Sequence, residues 1–265
     1  MDWLTSLPAM ALIVGWLALA LLVAAVARVG VRALVPAAEQ DRVPQIAMPL
    51  MPTLGAAFAI FAALSLASEA GYLRAAEALV SDEAAAASRL AWAATTPQVR
   101  SEPIHAALLD YLRTTRDGEW EGAAAASGDD RATAHAIAQL ERTVRSEAAR
   151  PELGTPTGTE LLVSLDSVTN SRRARIAAAS RDVPALYIVT LVASGLALIV
   201  NAGALVFRSS LRTSLLIVGV ASVVGLSLAL LFALSAPWSG PFIVSGHPLD
   251  VIIRDLRSGF FVAGP

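Results

Sequence analysis

PALYIVTLVASGLALIVNAGALVF (residues 184–207) and TSLLIVGVASVVGLSLALLFAL (residues 213–234) decide the fold. Neither run contains a charged residue or a histidine. As a helix, each is long enough to cross about 30 Å of hydrocarbon, which takes roughly 20 residues. Only Arg208-Ser-Ser-Leu-Arg212 joins them, and so short a link predicts two antiparallel helices in a hairpin. Two further runs lie nearer the N-terminus, at residues 4–27 and within residues 43–67. The first has no positive leader, only Asp2, and is too long for the apolar part of a signal peptide, so it reads as a retained helix. In the second, Pro44, Pro49 and Pro52 crowd the start. Regular helix is expected from near Pro52 onward, covering Leu54, Phe58 and Phe61.

The expected fold is all-α: an integral membrane protein with four transmembrane helices in two hairpins and a helical domain between them. Residues 1–68 form the first hairpin, 69–182 a polar helical domain and 183–235 the second hairpin. Residues 236–265 form a tail packing near the domain. Composition agrees. Hydrophobic residues make up 55% of the chain and charged residues only 16%, against about 25% in an ordinary soluble domain. The mean hydropathy is +0.61. A soluble core cannot bury that much apolar surface, so the lipid bilayer is an expected partner. A net charge of −2, with every basic residue an arginine, offers no nucleic-acid footprint. The absence of cysteine removes disulfide, thiol, iron–sulfur and zinc–cysteine chemistry.

No span carries an ionisable side chain at its centre, which argues against a proton pump or an ion-coupled transporter. The most polar group within a span is Asn201, read either as an interhelical hydrogen bond or as a pore-lining residue. Ala11 with Gly15, and Ala221 with Gly225, are small pairs at the spacing that lets helices approach closely.

The polar domain reads as three or four helices. Residues 69–94 continue from the second span. Residues 103–115 follow Ser101 as N-cap and carry the apolar stripe Ile104, Leu108 and Leu112. Asp129 or Asp130 caps a third helix bearing Ile137, Leu140 and Val144. Residues 151–159, with Gly154, Pro156 and Gly158, read as a turn-rich break. A fourth helix with Leu161, Leu165 and Val168 then leads to the third span. Arg74, Arg172, Arg173, Arg175, Arg181, Arg254 and Arg257 flank the spans on the domain side, against Arg28, Arg32, Arg42, Arg208 and Arg212 on the other. That asymmetry favours a cytoplasmic domain.

No catalytic centre is expected. His105, His135 and His247 are scattered, and HExxH, GxSxG and Walker patterns are absent. Glu119 and Glu121 flank Trp120 in what reads as a solvated turn with an anchoring aromatic. No cofactor and no metal is predicted.

Three stretches, in order, carry a resemblance. The first is Pro103-Ile-His-Ala-Ala-Leu-Leu-Asp-Tyr111, continuing to Glu119-Trp120. The second is Ser171-Arg172-Arg173-Ala-Arg175-Ile176, then Asp182-Val183-Pro184. The third is Ala236-Pro237-Trp238-Ser239-Gly240-Pro241-Phe242, then His247-Pro248-Leu249-Asp250. Together they resemble the bacterial and plant bestrophin-like membrane proteins, a family formerly grouped as a domain of unknown function. The resemblance implies a homo-oligomeric channel for small anions, with the second span lining the pore. Leu54, Phe58 and Phe61 would form its apolar neck, and Arg172, Arg173 and Arg175 an attractive field at its entrance. Calcium-activated bestrophins hold an acidic cluster near the Pro-Phe segment. Here no acid lies between Pro237 and Gly246, and only Asp250 and Asp255 follow, so no calcium site is expected. The alternative is a membrane-anchored sensor or scaffold whose helical domain binds a partner.

Overall fold

The computed structural model describes residues 9–120, 122–181, 185–207, 215–238 and 241–262. Nine helices, and no strand, occur among them: α1 (Ala9–Leu34), α2 (Val43–Ala93), α3 (Ser101–Gly118), α4 (Gly122–Ser127), α5 (Arg131–Ala148), α6 (Thr155–Ala179), α7 (Ala185–Val206), α8 (Leu215–Leu234) and α9 (His247–Ser258). Four of them, α1, α2, α7 and α8, are long and apolar enough to cross a membrane. The chain divides into two compact units, one holding residues 1–72, 182–236 and 240–242 and the other holding the rest.

In the first unit, close approach is bought with missing side chains. A methyl group on Gly225 of α8 would sit 3.0 Å from the Trp16 carbonyl and 3.1 Å from Ala20 Cβ on α1. On α7, Gly203 lies equally close to Ala27 and Arg28, and Gly195 is held between Phe58 and Val224. Trp16 stacks on Phe232 at 4.7 Å. Of the two small pairs, Ala221 and Gly225 are both in this interface, whereas Gly15 faces open space. Asn201 donates from Nδ2 to the Ala47 carbonyl at 3.0 Å and lies 3.5 Å from Met51 Sδ. Asn201 therefore meets α2 near Ala47, and Gly195 meets it near Phe58, so α7 and α2 run antiparallel.

The start of α2 departs from expectation. The helix begins at Val43 and continues unbroken through Pro49 and Pro52 for 51 residues. Proline removes an N–H and crowds the preceding turn, but membrane helices tolerate it where neighbours supply other hydrogen bonds. Asn201 adds a bond to the Ala47 carbonyl in this stretch, while the carbonyls that Pro49 and Pro52 leave without an N–H are those of Gln45 and Met48.

The second unit is built on the stripes read from sequence. Ile104, Leu108 and Leu112 on α3, Leu140 and Val144 on α5, and Leu161, Leu165 and Val168 on α6 converge with Val80, Ala87 and Leu90 of α2. Two boundaries differ. Ser101 lies inside α3, whose N-cap position is Arg100 with no side-chain cap. Residues 151–159 are not a break throughout: α6 starts at Thr155, with Pro156 in its first turn, where a missing N–H costs nothing. Gly158 is helical and packs so tightly that a Cβ would meet the Ala148 carbonyl at 2.9 Å. Of the two acids before α5, Asp130 is the cap, accepting from the Thr133 N–H at 2.7 Å and from its hydroxyl at 2.9 Å. Those bonds hold its carboxyl below the usual carboxylate pKa.

Candidate functional site: a buried arginine–glutamate–tyrosine network

Four titratable side chains in the second unit have no exposure: Glu83 of α2, Tyr111 of α3, Glu119 just beyond α3, and Arg175 of α6. Glu83 shares a helical face with Val80, Ala87 and Leu90, which carries it into the core. Arg175 Nε donates to Glu83 at 2.6 Å, Nη2 to the Glu119 carboxylate at 3.3 Å and Nη1 to the Glu119 carbonyl at 3.2 Å. The Tyr111 hydroxyl donates to the other Glu83 oxygen. Arg172, one turn earlier on α6, donates to both oxygens of Glu119, from Nε at 3.2 Å and from Nη2, and reaches the Gly128 carbonyl at 3.4 Å. Two guanidiniums thus face two carboxylates, and their forks make several bonds each.

Burial alone would lower the Arg175 pKa, but the Glu83 charge and hydrogen bond outweigh it and hold the pKa above its ordinary value. Burial raises the Tyr111 pKa well above the usual range, and the Glu83 charge raises it further. The tyrosine is therefore a hydrogen-bond donor, not an acid at neutral pH.

Trp120 closes one side of the network. It is 5% exposed, so the expected solvated turn at residues 119–121 is corrected: Glu119 and Trp120 are interior residues, and Glu121 lies outside the described residues. Trp120 Nε1 donates to the Val244 carbonyl at 3.3 Å. Its ring meets Trp238 edge-on at 5.8 Å, and the Arg116 guanidinium lies 4.7 Å over its face. Arg116 also grips Asp250 of α9 with two bonds, at 2.9 and 3.3 Å. A Cβ on Gly246 would strike that guanidinium at 2.5 Å. The Pro237 carbonyl accepts from the Val244 N–H at 2.8 Å. Pro248 stands in the first turn of α9.

The remaining singled-out residues are dispersed. Arg173 is exposed, with Asn170 as its hydrogen-bond partner at 3.5 Å. On α2, Phe58 is buried against α7, Leu54 is half-buried and Phe61 is 39% exposed. Pro184 and Gly240 lie outside the described residues. Among the described residues no group of three His, Cys, Asp or Glu is placed to hold a metal ion. Sequence reading passed over Glu83 and Arg116. The signal for Glu83 was present: a lone acid on the apolar stripe of an alanine-rich helix. Arg116 had none.

Residues 18–249 match the family model of the Bestrophin-like domain. Among solved structures, a bacterial bestrophin homolog from Klebsiella pneumoniae carrying a point mutation is similar in fold, with a TM-score of 0.69 at 15% identity. The match covers 92% of this chain and 99% of that one. No curated protein matches the chain. Tyr111, Glu119, Trp120 and Asp250, which carried the resemblance in sequence, are residues of this interior network and its border. With the family model extending over nearly the whole chain and four helices long and apolar enough to cross a membrane, the protein belongs to the bestrophin-like family of multi-pass membrane proteins.

Proposed function

We propose that the chain is the subunit of a homo-oligomeric channel for small anions, with α2 lining the conduction path and the helical unit on the cytoplasmic side. One observation carries this reading. α2 is a single helix of 51 residues, about 77 Å at 1.5 Å per residue, more than twice the hydrocarbon thickness. Only 17% of its most apolar window is buried within one chain. An apolar helix this long and this uncovered is suited to packing against copies of itself around an axis. Phe61, with open surface, is the neck residue offered to that axis. Leu54 and Phe58 brace it from behind, and Asn201 fixes α2 to α7. A ring of such apolar side chains gates by dewetting. Arg172 and Arg175 are matched by carboxylates, so exposed Arg173 supplies most of the entrance field.

The test is anion efflux from liposomes holding the purified protein, with subunit number read by native mass spectrometry. A ring-forming oligomer whose flux rises in Phe61→Ala supports the reading. A monomer without flux would overturn it and return the sensor or scaffold reading.

A further inference from the structure

Between α3 and α9 lies a cavity of about 600 Å³, within the range of small-molecule sites, about 300–1,000 Å³. Arg113 and Arg116 of α3 and Arg254 and Arg257 of α9 line it, against two acids, Asp117 and Asp250. Residues 113, 116 and 117 share one helical face, as do 250, 254 and 257, so two charged faces look into one space. Asp250 is already taken by both prongs of Arg116, and Arg254 is paired with its neighbour Asp255 at 3.3 Å. Arg113 and Arg257 have no carboxylate partner among the described residues. Moreover, Arg113 Nε is cut off from solvent and makes no hydrogen bond. A buried donor left unmade is rare in a native fold, so the fold by itself does not satisfy this guanidinium.

Favourable interaction with helix C-terminal carbonyls accounts for Arg116 and Arg257, both in last turns. It accounts neither for the orphaned Arg113 nitrogen nor for the cavity. Those helix ends also weaken the attraction for an anion. A monovalent spherical ion presents no paired acceptors to match a guanidinium fork, whereas a phosphate dianion offers oxygens to both forks.

We propose that this cavity binds a phosphate monoester, either a phosphorylated small molecule or a lipid headgroup, held by Arg113 and Arg257 with Arg116 and Arg254 at its flanks. Asp117, which has no basic partner among the described residues, accepts from a hydroxyl where the alcohol half of the ester carries one, as glycerol 3-phosphate does. The site does not depend on conduction.

The experiment uses the full chain in detergent, with glycerol 3-phosphate titrated by calorimetry at constant ionic strength. In parallel, the chain in nanodiscs of phosphatidylcholine with or without phosphatidic acid is examined for retained lipid by native mass spectrometry. Binding in either arm that weakens at least about tenfold in Arg257→Gln, and further in Arg113→Gln/Arg257→Gln, supports the site. Arg173→Gln should leave it unchanged. The arm that responds identifies the source as soluble ester or headgroup. Glycerol 3-phosphate binding should also weaken below about pH 6, where the dianion takes up a proton and becomes a monoanion. Arg257 is exposed, so its variant keeps the test open if Arg113→Gln fails to fold. No binding in either arm up to about 10 mM ester, or binding indifferent to Arg257→Gln, would sink the proposal.

Discussion

Arg175 keeps its charge without exposure because two carboxylates and a carbonyl meet its fork. Replacing it with Met strands Glu83 in the interior and leaves Glu119 to Arg172 alone; breaking a buried pair in this way typically costs about 3–5 kcal/mol. Arg175→Met should therefore melt far below the native chain in detergent; Arg172→Met should melt closer to it, since Glu119 keeps Arg175. Tyr111 gives an alkaline signature. Its folded pKa lies above the ordinary tyrosine value of 10.0, so the stability it adds is intact below about pH 10 and is lost as pH rises through the folded value. Melting against pH should show Tyr111→Phe less stable at neutral pH but with a flatter alkaline limb. Glu147 gives the acid counterpart. Burial would raise its pKa, but the Arg100 N–H and the guanidiniums of Arg150 and Arg100 lower it below the ordinary glutamate value of 4.5. Its contribution is present above about pH 4.5 and lost as pH falls through the folded value. Glu147→Gln should thus lower the melting point at pH 7, by a margin that shrinks as pH falls below about 4.5. Sequence marked Tyr111, Glu119 and Trp120 by resemblance, but not that they point inward, because a single chain gives the position of a side chain and not its partner.

At the scale of the element, apolar periodicity placed the long helices, and their buried stripes are those the pattern named. What it misjudged was proline. In α6 the proline sits in the first turn and starts the helix; in α2 Pro49 and Pro52 sit inside a helix that continues through them, as membrane helices allow more readily than soluble ones. The two small pairs make a second lesson, since spacing alone does not reveal which glycine meets another helix. Gly225→Val should force α1 and α8 apart and cost about 1–3 kcal/mol, the usual penalty of overpacking. Gly15→Ala, with nothing within 4 Å, should be neutral or slightly stabilising through higher helix propensity. Paired melting curves in one detergent would expose a wrong assignment of either.

For the whole molecule, the cysteine-free chain is its own background for mapping sidedness. A single cysteine at exposed Arg142 of α5 should resist a membrane-impermeant maleimide in intact cells and react after permeabilisation, if the arginine asymmetry sets the orientation. Labelling of intact cells would reverse the topology. The arrangement in sequence of apolar, polar and apolar segments was legible because lipid imposes a coarse rule on composition. The network was not, since its members come from distant segments. That distance has a consequence for biosynthesis. Arg175 follows Glu83 by 92 residues and Glu119 by 56, so the ribosome delivers both acids before the cation that neutralises them. A nascent chain stalled before α6 has left the ribosome should hold its helical unit open to protease. One stalled after α6 has emerged should begin to resist, making Arg175 the point in translation at which this unit becomes able to close.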